Sequence, residues 1–165
     1  ALAGTVAVCP NIDPPQCVEA LEEPRNWIYH RHFLVELKAR LRRKAAFSPG
    51  KWDLTSLDTI DRLRDFDDRY TAPDGGYAGS TDYYARTGAQ HVLDTLAVPT
   101  LIITAQDDPF IPYQMFTGPQ IQRHPKIRVL APRYGGHCGF FHRSNNGEDP
   151  YWAENRIIDF VQGQR

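Results

Sequence analysis

The sequence has few cysteines, almost no net charge and no long hydrophobic run, and each of these absences excludes a class of protein. The three cysteines, Cys9, Cys17 and Cys138, have no paired spacing, which argues against a disulfide framework and is typical of a reducing compartment. The formal net charge of -1 provides no field that would attract nucleic acid or an acidic membrane surface. The apolar runs are far shorter than the ~18 residues of a membrane span, and no signal peptide is recognisable. We therefore expect a cytoplasmic protein that neither spans a membrane nor binds nucleic acid.

The sequence also lacks the patterns that bind nucleotides and metals. It has no glycine-rich phosphate-binding loop. Five histidines have no metal-ligand spacing with cysteines or carboxylates: His30, His32, His91, His124 and His142. We therefore predict no cofactor and no metal site.

Strands and helices alternate along the chain. Three short apolar runs rich in β-branched residues predict buried strands at 4–10, 99–105 and 127–131. Shorter helices are predicted at 113–122 and at about 150–161. This alternation favours a parallel sheet with crossover helices, and 165 residues are enough for one modest domain. The predicted fold class is therefore α/β, and because a buried strand needs neighbours on both edges, we expect partner strands before Ala1.

The region between the first two strands, from about residue 15 to 97, is predicted to be mostly helical. One helix face is defined by residues spaced three and four apart: Trp27, His30, Leu34, Leu37 and Leu41. A basic run follows near the end of that helix: Lys38, Arg40, Arg42, Arg43 and Lys44. Such a run is typical of a solvated helix end, and the alternative is contact with phospholipid headgroups. Further helices are predicted at 56–70 and 81–96.

Reactive side chains follow the second and third predicted strands. Asp107 and Asp108 lie in the turn after the second strand. His137 comes after the third strand, preceded by Gly135 and Gly136 and followed by Cys138 and Gly139. Functional groups gather at the carboxyl ends of strands in open α/β sheets. An aspartate followed by a histidine, each just after a strand, is the order of the last two members of a Ser-Asp-His triad. The residues alone leave open which aspartate is the acid, and the alternative role for Asp107 is to accept backbone hydrogen bonds in the turn.

The motifs around these residues resemble the YheT-like family of the α/β-hydrolase fold. The matching stretches are FDDRYTAPDGGYAGSTDYY (66–84), VPTLIITAQDDPFIP (98–112) and YGGHCGFFHR (134–143), and the opening VAVCPNIDPPQC and the helix FLVELKARLRRK also fit. The resemblance implies Asp108 as the triad acid and His137 as the general base. It also implies that 1–165 is a partial, C-terminal α/β-hydrolase domain, with a helical cap at about 15–97 and the C-terminal strands and helices, carrying both triad residues, at 98–165.

The nucleophile that this family uses is not recognisable in the chain. In the family, the serine lies in a G-x-S-x-G elbow before the strand that opens this sequence. The serines are Ser48, Ser56, Ser80 and Ser144, and none lies in that context; Ser80 has Ala78 and Asp82 at the glycine positions. The resemblance therefore implies that the N-terminal half of the hydrolase domain, with the serine and the oxyanion-hole donors, is missing from this chain.

Three other features have both a structural and a functional interpretation. Asp67 and Asp68 look like a second acidic site, but the family resemblance implies a signature of the cap, for which a structural or hydrogen-bonding role is favoured. Tyr83 and Tyr84 are expected to pack in the core, with the lining of an acyl pocket as the alternative. Cys138 could form a Cys-His pair with His137, but neighbours on an extended backbone point to opposite sides, so we do not expect it to contribute.

The expected function is that of a serine hydrolase acting on small-molecule carboxylic esters, with no cofactor. Two alternatives stay open: a non-catalytic fragment or split-hydrolase subunit that binds its N-terminal half, and an acyltransferase that makes medium-chain esters. Water access under the cap decides between hydrolysis and acyl transfer, and the sequence does not report it.

Overall fold

The structure is a computed structural model of the chain and describes residues 2–144 and 147–163. The chain divides into two compact units. The first, which we call the sheet unit, consists of Ala1–Asp13 and Ala89–Arg165, and the second, the helical unit, is Pro14–Gly88.

The regular elements of the described residues are three strands, seven α-helical segments and several tighter turns. The strands are β1 (Thr5–Val8), β2 (Thr100–Ile103) and β3 (Ile127–Leu130). The α-helices are α1 (Pro14–Glu22), α2 (Trp27–Phe47), α3 (Leu63–Phe66), α4 (Ala72–Asp74), α5 (Ser80–Thr87), α6 (Pro119–Gln122) and α7 (Trp152–Gln162). Turns of 3-10 helix lie at Pro24–Asn26, Leu57–Thr59, Ala89–Thr95 and Tyr113–Phe116, and a π-helical turn at Asp67–Thr71.

The three strands form one parallel sheet in the order β1-β2-β3. Thr5 pairs with Thr100 and Thr100 with Ile127, so the three strands end at the same edge. The central strand β2 is buried along its whole length, whereas β1 and β3 are half-buried because each pairs along one edge within the described residues. The predicted α/β class, with parallel strands and connecting helices, is confirmed.

The core of the helical unit lies between α2 and the segment that follows it. Leu34 and Leu41, seven residues apart on α2, are buried against a cluster of apolar side chains: Leu57, Ile60, Leu63, Phe66 and Tyr70. Trp27, predicted for the same face, is 58% exposed, because the buried cluster begins more than one turn further along the helix.

Three predicted helices are shorter or more broken than the spacing of their apolar residues indicates. Residues 56–70 form a 3-10 turn, then α3, because Ile60 and Arg62 have extended backbone. The apolar side chains Leu57, Ile60, Leu63 and Phe66 are spaced three residues apart, which fits 3-10 geometry as well as α. They are buried, but the prediction of one continuous helix was wrong. Gly88 and Gly118, both extended, divide the predicted helices 81–96 and 113–122 into an α-helix and a 3-10 turn each.

Among the described residues, no helix combines the length and the apolar character that a membrane crossing requires. The longest, α2, has 21 residues, and charged side chains occur throughout it.

Candidate active site

The two aspartates of the loop after β2 contact different groups. The Oδ1 atom of Asp108 accepts hydrogen bonds from the backbone N–H groups of Phe110 and Ile111, at 2.9 and 3.0 Å. Its Oδ2 atom lies 2.9 Å from Nδ1 of His137. The Asp108 side chain is fully buried, with 0% exposure. A carboxylate whose oxygens are engaged in this way keeps its orientation and faces the imidazole with one oxygen.

Asp107 connects the loop after β2 to the loop after β3. Its Oδ1 atom accepts hydrogen bonds from the backbone N–H groups of Gly135 and Gly136, at 3.0 and 2.8 Å. This is the role in backbone hydrogen bonding that the sequence left as the alternative for Asp107. The distance between the two loops is therefore set by main-chain groups on one side and a carboxylate on the other.

The loop after β3 turns sharply to present His137. Gly136 adopts a positive φ of 52°, which glycine reaches without steric cost. Gly135 lies so close to its neighbours that a Cβ there would come within 2.5 Å of the Phe140 ring and 3.1 Å of Ala105. The His137 ring contacts Phe110 edge-on, with 5.1 Å between the ring centroids. The glycines that the sequence singled out thus permit the close approach of this loop to β2.

The contact with Asp108 determines which nitrogen of His137 is available for chemistry. If Nδ1 carries the proton that bonds to the carboxylate, Nε2 keeps its lone pair and can accept a proton. The His137 side chain is 37% exposed, whereas the Asp108 side chain behind it is fully buried. The structure therefore brings together the two residues predicted as acid and base, in a geometry suited to general base catalysis.

Two cysteines lie beside this pair; the sequence interpretation missed Cys9 and did not expect Cys138 to contribute. The Sγ atoms of Cys9 and Cys138 and a ring nitrogen of His137 all lie within 4.8 Å of one another. Cys9 follows β1 with a φ of 44°, and Cys138 has a φ of 67°. The expectation that Cys138 and His137 point to opposite sides was wrong because it assumed an extended backbone, and this loop is left-handed at both Gly136 and Cys138.

The thiol of Cys9 has an unusual environment. The pKa of Cys9 is raised to about 12, mainly by burial and also by its hydrogen bond to the Asp108 carboxylate, against the lowering effect of the backbone N–H of Cys138. The position of Cys9 directly after β1, at the same sheet edge as Asp108 and His137, is the signal from which its proximity could have been predicted.

The other predicted polar residues lie in the helical unit and make internal hydrogen bonds. Asp67 accepts a bond from the Tyr84 hydroxyl at 2.6 Å, and Asp68 accepts one from the backbone N–H of Ser80 at 2.6 Å. Burial, with the bond to Asp67, raises the pKa of Tyr84. Ser80 is 1% exposed, so the serine nearest to an elbow context is enclosed.

Tyr83 lines a cavity of about 370 Å³ inside the helical unit. Its walls include Leu37 and Leu41 of α2, Trp52 and Phe66. Burial raises the pKa of the Tyr83 hydroxyl. Tyr84, by contrast, is buried in the packing of the unit, so the two neighbouring tyrosines have different surroundings.

Comparison with known proteins adds a family to this geometry. No family model matches the sequence. The chain is 37% identical over 147 residues to a protein of Escherichia coli (strain K12) named "Putative esterase YheT". The matched residues cover 88% of this chain and 43% of that protein. It is 29% identical over 125 residues to Phospholipase ABHD3 of Mus musculus, covering 75% of the chain and 30% of the phospholipase. It is 33% identical over 112 residues to Medium-chain fatty acid ethyl ester synthase/esterase 2 of Saccharomyces cerevisiae (strain ATCC 204508 / S288c), covering 66% and 23%.

The parallel sheet, its helices and these similarities are those of the α/β-hydrolase fold, and the element order is consistent with the C-terminal portion of that fold. The chain's similarity to the protein named YheT confirms the resemblance to the YheT-like family that its motifs predicted. The chain spans less than half the length of the relatives named above.

Proposed function

We propose that this chain carries the general base and the acid of a serine hydrolase that acts on carboxylic esters, with His137 as base and Asp108 as acid. The observation that carries the proposal is the contact of 2.9 Å between Nδ1 of His137 and a fully buried carboxylate oxygen of Asp108. The names of the relatives, which include an esterase, a phospholipase and an ester synthase, support ester chemistry.

In this mechanism the histidine transfers one proton in each of the two half-reactions. A serine hydroxyl supplied by sequence outside this chain attacks the ester carbonyl, and Nε2 of His137 takes the hydroxyl proton. The tetrahedral intermediate collapses, the C–O bond to the leaving alcohol breaks, and His137 returns the proton to that alcohol. Water then attacks the acyl-enzyme with His137 again as base, which releases the acid and restores the serine. Asp108 holds the tautomer and stabilises the imidazolium at each proton transfer.

The helical unit is proposed as the cap of this enzyme, and its cavity of about 370 Å³ as a pocket for an acyl chain of medium or greater length. The cavity walls are largely aromatic and aliphatic, as an acyl chain requires. A location in the cytoplasm stays a prediction from the cysteine content.

The remaining half of the domain is proposed to pair with β1. That strand has one paired edge within the described residues, and an apolar groove of about 540 Å³ runs beside it, lined by Leu2, Val6, Phe160 and Val161 among others. An unpaired edge flanked by apolar surface favours addition of further strands. The split-subunit alternative shares this surface and differs only in whether the partner strands come from a second chain.

Acyl transfer to an alcohol is the second candidate, because one relative is named as both a synthase and an esterase of medium-chain ethyl esters. The chemistry differs only in the acceptor of the acyl group, water or an alcohol. Measuring product ratios with and without added ethanol distinguishes the two.

The test uses a matched pair of Asp→Asn substitutions in the gene product that contains residues 1–165. Asp108→Asn leaves the shape of the side chain unchanged but presents the wrong partner to His137, and we expect kcat to fall by roughly 10³–10⁴-fold. Asp107→Asn keeps the Oδ1 acceptor for Gly135 and Gly136, so we expect a change of less than about tenfold. Initial rates with p-nitrophenyl esters measure both, and equal losses in the two variants would rule out Asp108 as the acid.

A further inference from the structure

We propose that Cys9, Cys138 and His137 form a binding site for Zn²⁺, in which the nitrogen of the general base is one ligand. The proposal starts from the cluster of two sulfur atoms and one ring nitrogen within 4.8 Å of one another. Cysteine thiolate and histidine are the ligand types that Zn²⁺ prefers in proteins, and a Cys₂His set leaves one position of a tetrahedron open. Binding of the ion displaces the thiol protons, including the proton of the buried Cys9.

The distances suit a single ion. Zn–S and Zn–N bonds of about 2.3 and 2.0 Å place two ligand atoms on the same tetrahedral ion roughly 3.5–3.8 Å apart. The observed limit of 4.8 Å therefore requires each ligand atom to move by no more than about 1 Å, which side-chain rotation supplies.

The acid of the site also serves as the outer support of the proposed metal ligand. A histidine that binds Zn²⁺ through one nitrogen usually donates its other N–H to a carboxylate, which fixes the tautomer and the ring orientation. Asp108 already contacts Nδ1 of His137 at 2.9 Å, and we therefore assign the other ring nitrogen, Nε2, to the ion. The same hydrogen bond thus serves a general base and a metal ligand.

The backbone brings the two sulfur atoms together from different strands. Cys9 and Cys138 are the two residues other than glycine with positive φ among the described residues, and both lie at the sheet edge where β1 and β3 end. The backbone N–H of Cys9 bonds to the Ile103 carbonyl at 2.8 Å, which holds the first turn on β2. Cys138 and His137 are exposed, so an ion from solvent reaches them, while Cys9 forms the buried side of the site.

A metal ion at this site has a direct consequence for the reaction, and this step rests on the proposed function. An ion bound to Nε2 occupies the lone pair that would accept the serine proton, so the loaded protein cannot carry out the first proton transfer. We therefore expect Zn²⁺ to inhibit ester hydrolysis reversibly, with recovery on addition of a chelator.

The binding test uses Co²⁺ as a spectroscopic probe and the reduced gene product that contains residues 1–165. We expect a thiolate-to-cobalt charge-transfer band that saturates at one ion per chain and is displaced by Zn²⁺. Cys9→Ser and Cys138→Ser should each weaken Co²⁺ binding by at least about tenfold and reduce the band. Cys17→Ser is the matched control, because it removes one thiol outside the cluster, and it should retain wild-type binding.

The result that overturns the proposal is a band that is absent, or one that survives both Cys9→Ser and Cys138→Ser. Loss of binding in Cys17→Ser would also overturn it, because the ligands would then lie elsewhere. Circular dichroism of each variant checks folding. Cys138→Ala, a second variant that removes the thiol from this exposed position, must lose binding to the same extent as Cys138→Ser.

The activity test separates this inference from the proposed function. Ester hydrolysis by each variant is measured with and without Zn²⁺ and compared with the rate of the same variant in chelator. Hydrolysis inhibited by Zn²⁺ in wild type and Cys17→Ser, and at least tenfold less sensitive in Cys138→Ser, supports both proposals. Co²⁺ binding without any esterase activity supports the metal site and contradicts the proposed function, and activity without binding contradicts the metal site alone.

Discussion

Asp107 and Asp108 are adjacent and have identical side chains, yet each carboxylate serves a different loop. The Asp108 carboxylate faces His137, and the Asp107 carboxylate accepts hydrogen bonds from two backbone N–H groups of the loop that carries His137. Hydrogen bonds to a charged acceptor are stronger than those between neutral groups, so both carboxylates contribute to the geometry. At the scale of single residues, the site therefore depends on one carboxylate for chemistry and on another for distance.

An added methyl group at Gly135 should displace the proposed general base, His137, more than it disturbs the fold. A Cβ at this position would lie 2.5 Å from the Phe140 ring and 3.1 Å from Ala105, so the loop must shift. We expect Gly135→Ala to lower kcat by roughly 10²-fold, because a displacement of about 1 Å in a catalytic group costs that much. Gly118→Ala is the control, since its nearest neighbour lies 4.0 Å away, and steady-state rates of the two variants should differ accordingly. Equal rates would show that the loop absorbs the methyl group.

How much of the site could be predicted depends on what each residue's neighbours in sequence reveal. Asp108 and His137 follow apolar strand patterns and are flanked by proline and glycine, so both their position and their pairing could be anticipated. Cys9 could not be recognised as a neighbour of His137 by spacing, because the two are 128 residues apart and meet only through the parallel register of β1 and β2 with β3. Cys138 was misjudged because a positive φ at a residue other than glycine has no sequence signature.

Among the elements, α2 shows why apolar spacing predicts burial better than it predicts helix boundaries. Leu34 and Leu41 are buried as expected, because packing against the following segment rewards any conformation that turns them inward. The predicted helix at 56–70 is interrupted where Ile60 and Arg62 are extended, and the Thr59 hydroxyl donates to the Ser56 carbonyl, a local bond that competes with helical hydrogen bonds. The strands were predicted more accurately, since a continuous β-branched run has few alternative uses.

The core between α2 and this segment should be the main source of stability of the helical unit. Leu57 has 0% exposure, and truncation to alanine leaves a cavity that packed neighbours fill only in part. We expect Leu57→Ala to lower the free energy of unfolding by about 2–5 kcal/mol. Val35→Ala, at a position 54% exposed on α2, should change it by less than about 0.5 kcal/mol. Urea denaturation followed by circular dichroism measures both, and similar losses would show that the segment does not pack on α2 in solution.

The end of α2 is joined to α4 by a carboxylate between two lysines, and this contact should depend on pH. The side chains of Lys44 and Lys51 lie 2.8 and 2.6 Å from the oxygens of Asp74 and lower its pKa to about 2. A folded-state pKa below the ordinary value of 3.8 means that the stabilisation is present above pH 4 and is lost as the pH falls toward 2.

We therefore expect Asp74→Asn to lower the free energy of unfolding at pH 7 by less than about 1 kcal/mol, as partly exposed ion pairs do. The difference between variant and wild type should shrink to a small part of its pH 7 value by pH 2, when the carboxyl is protonated in the unfolded state and about half protonated in the folded state. Urea denaturation at several pH values tests this, and a difference that persists in full at pH 2 would exclude the ion pairs as its cause.

On the scale of the whole molecule, residues 1–165 by themselves should lack esterase activity. None of the serines lies in an elbow context, and Ser80 is enclosed and hydrogen-bonded through its backbone to Asp68. We expect the isolated chain to give no turnover of p-nitrophenyl esters above the background rate, and the full gene product to give burst kinetics. If the isolated chain hydrolyses esters as fast as the gene product, the nucleophile lies within residues 1–165.

The carboxylate of Asp107 has a consequence for redesign of the site. It holds the loop after β3 through the main-chain N–H groups of Gly135 and Gly136, so part of what positions residue 137 comes from groups other than its own side chain. We expect a cysteine or a lysine in place of His137 to face the Asp108 carboxylate, with the same distance between the backbone of residue 137 and that carboxylate. The two loops thus form a preorganised site in which other reactive side chains can replace His137 without changes to the rest of the fold.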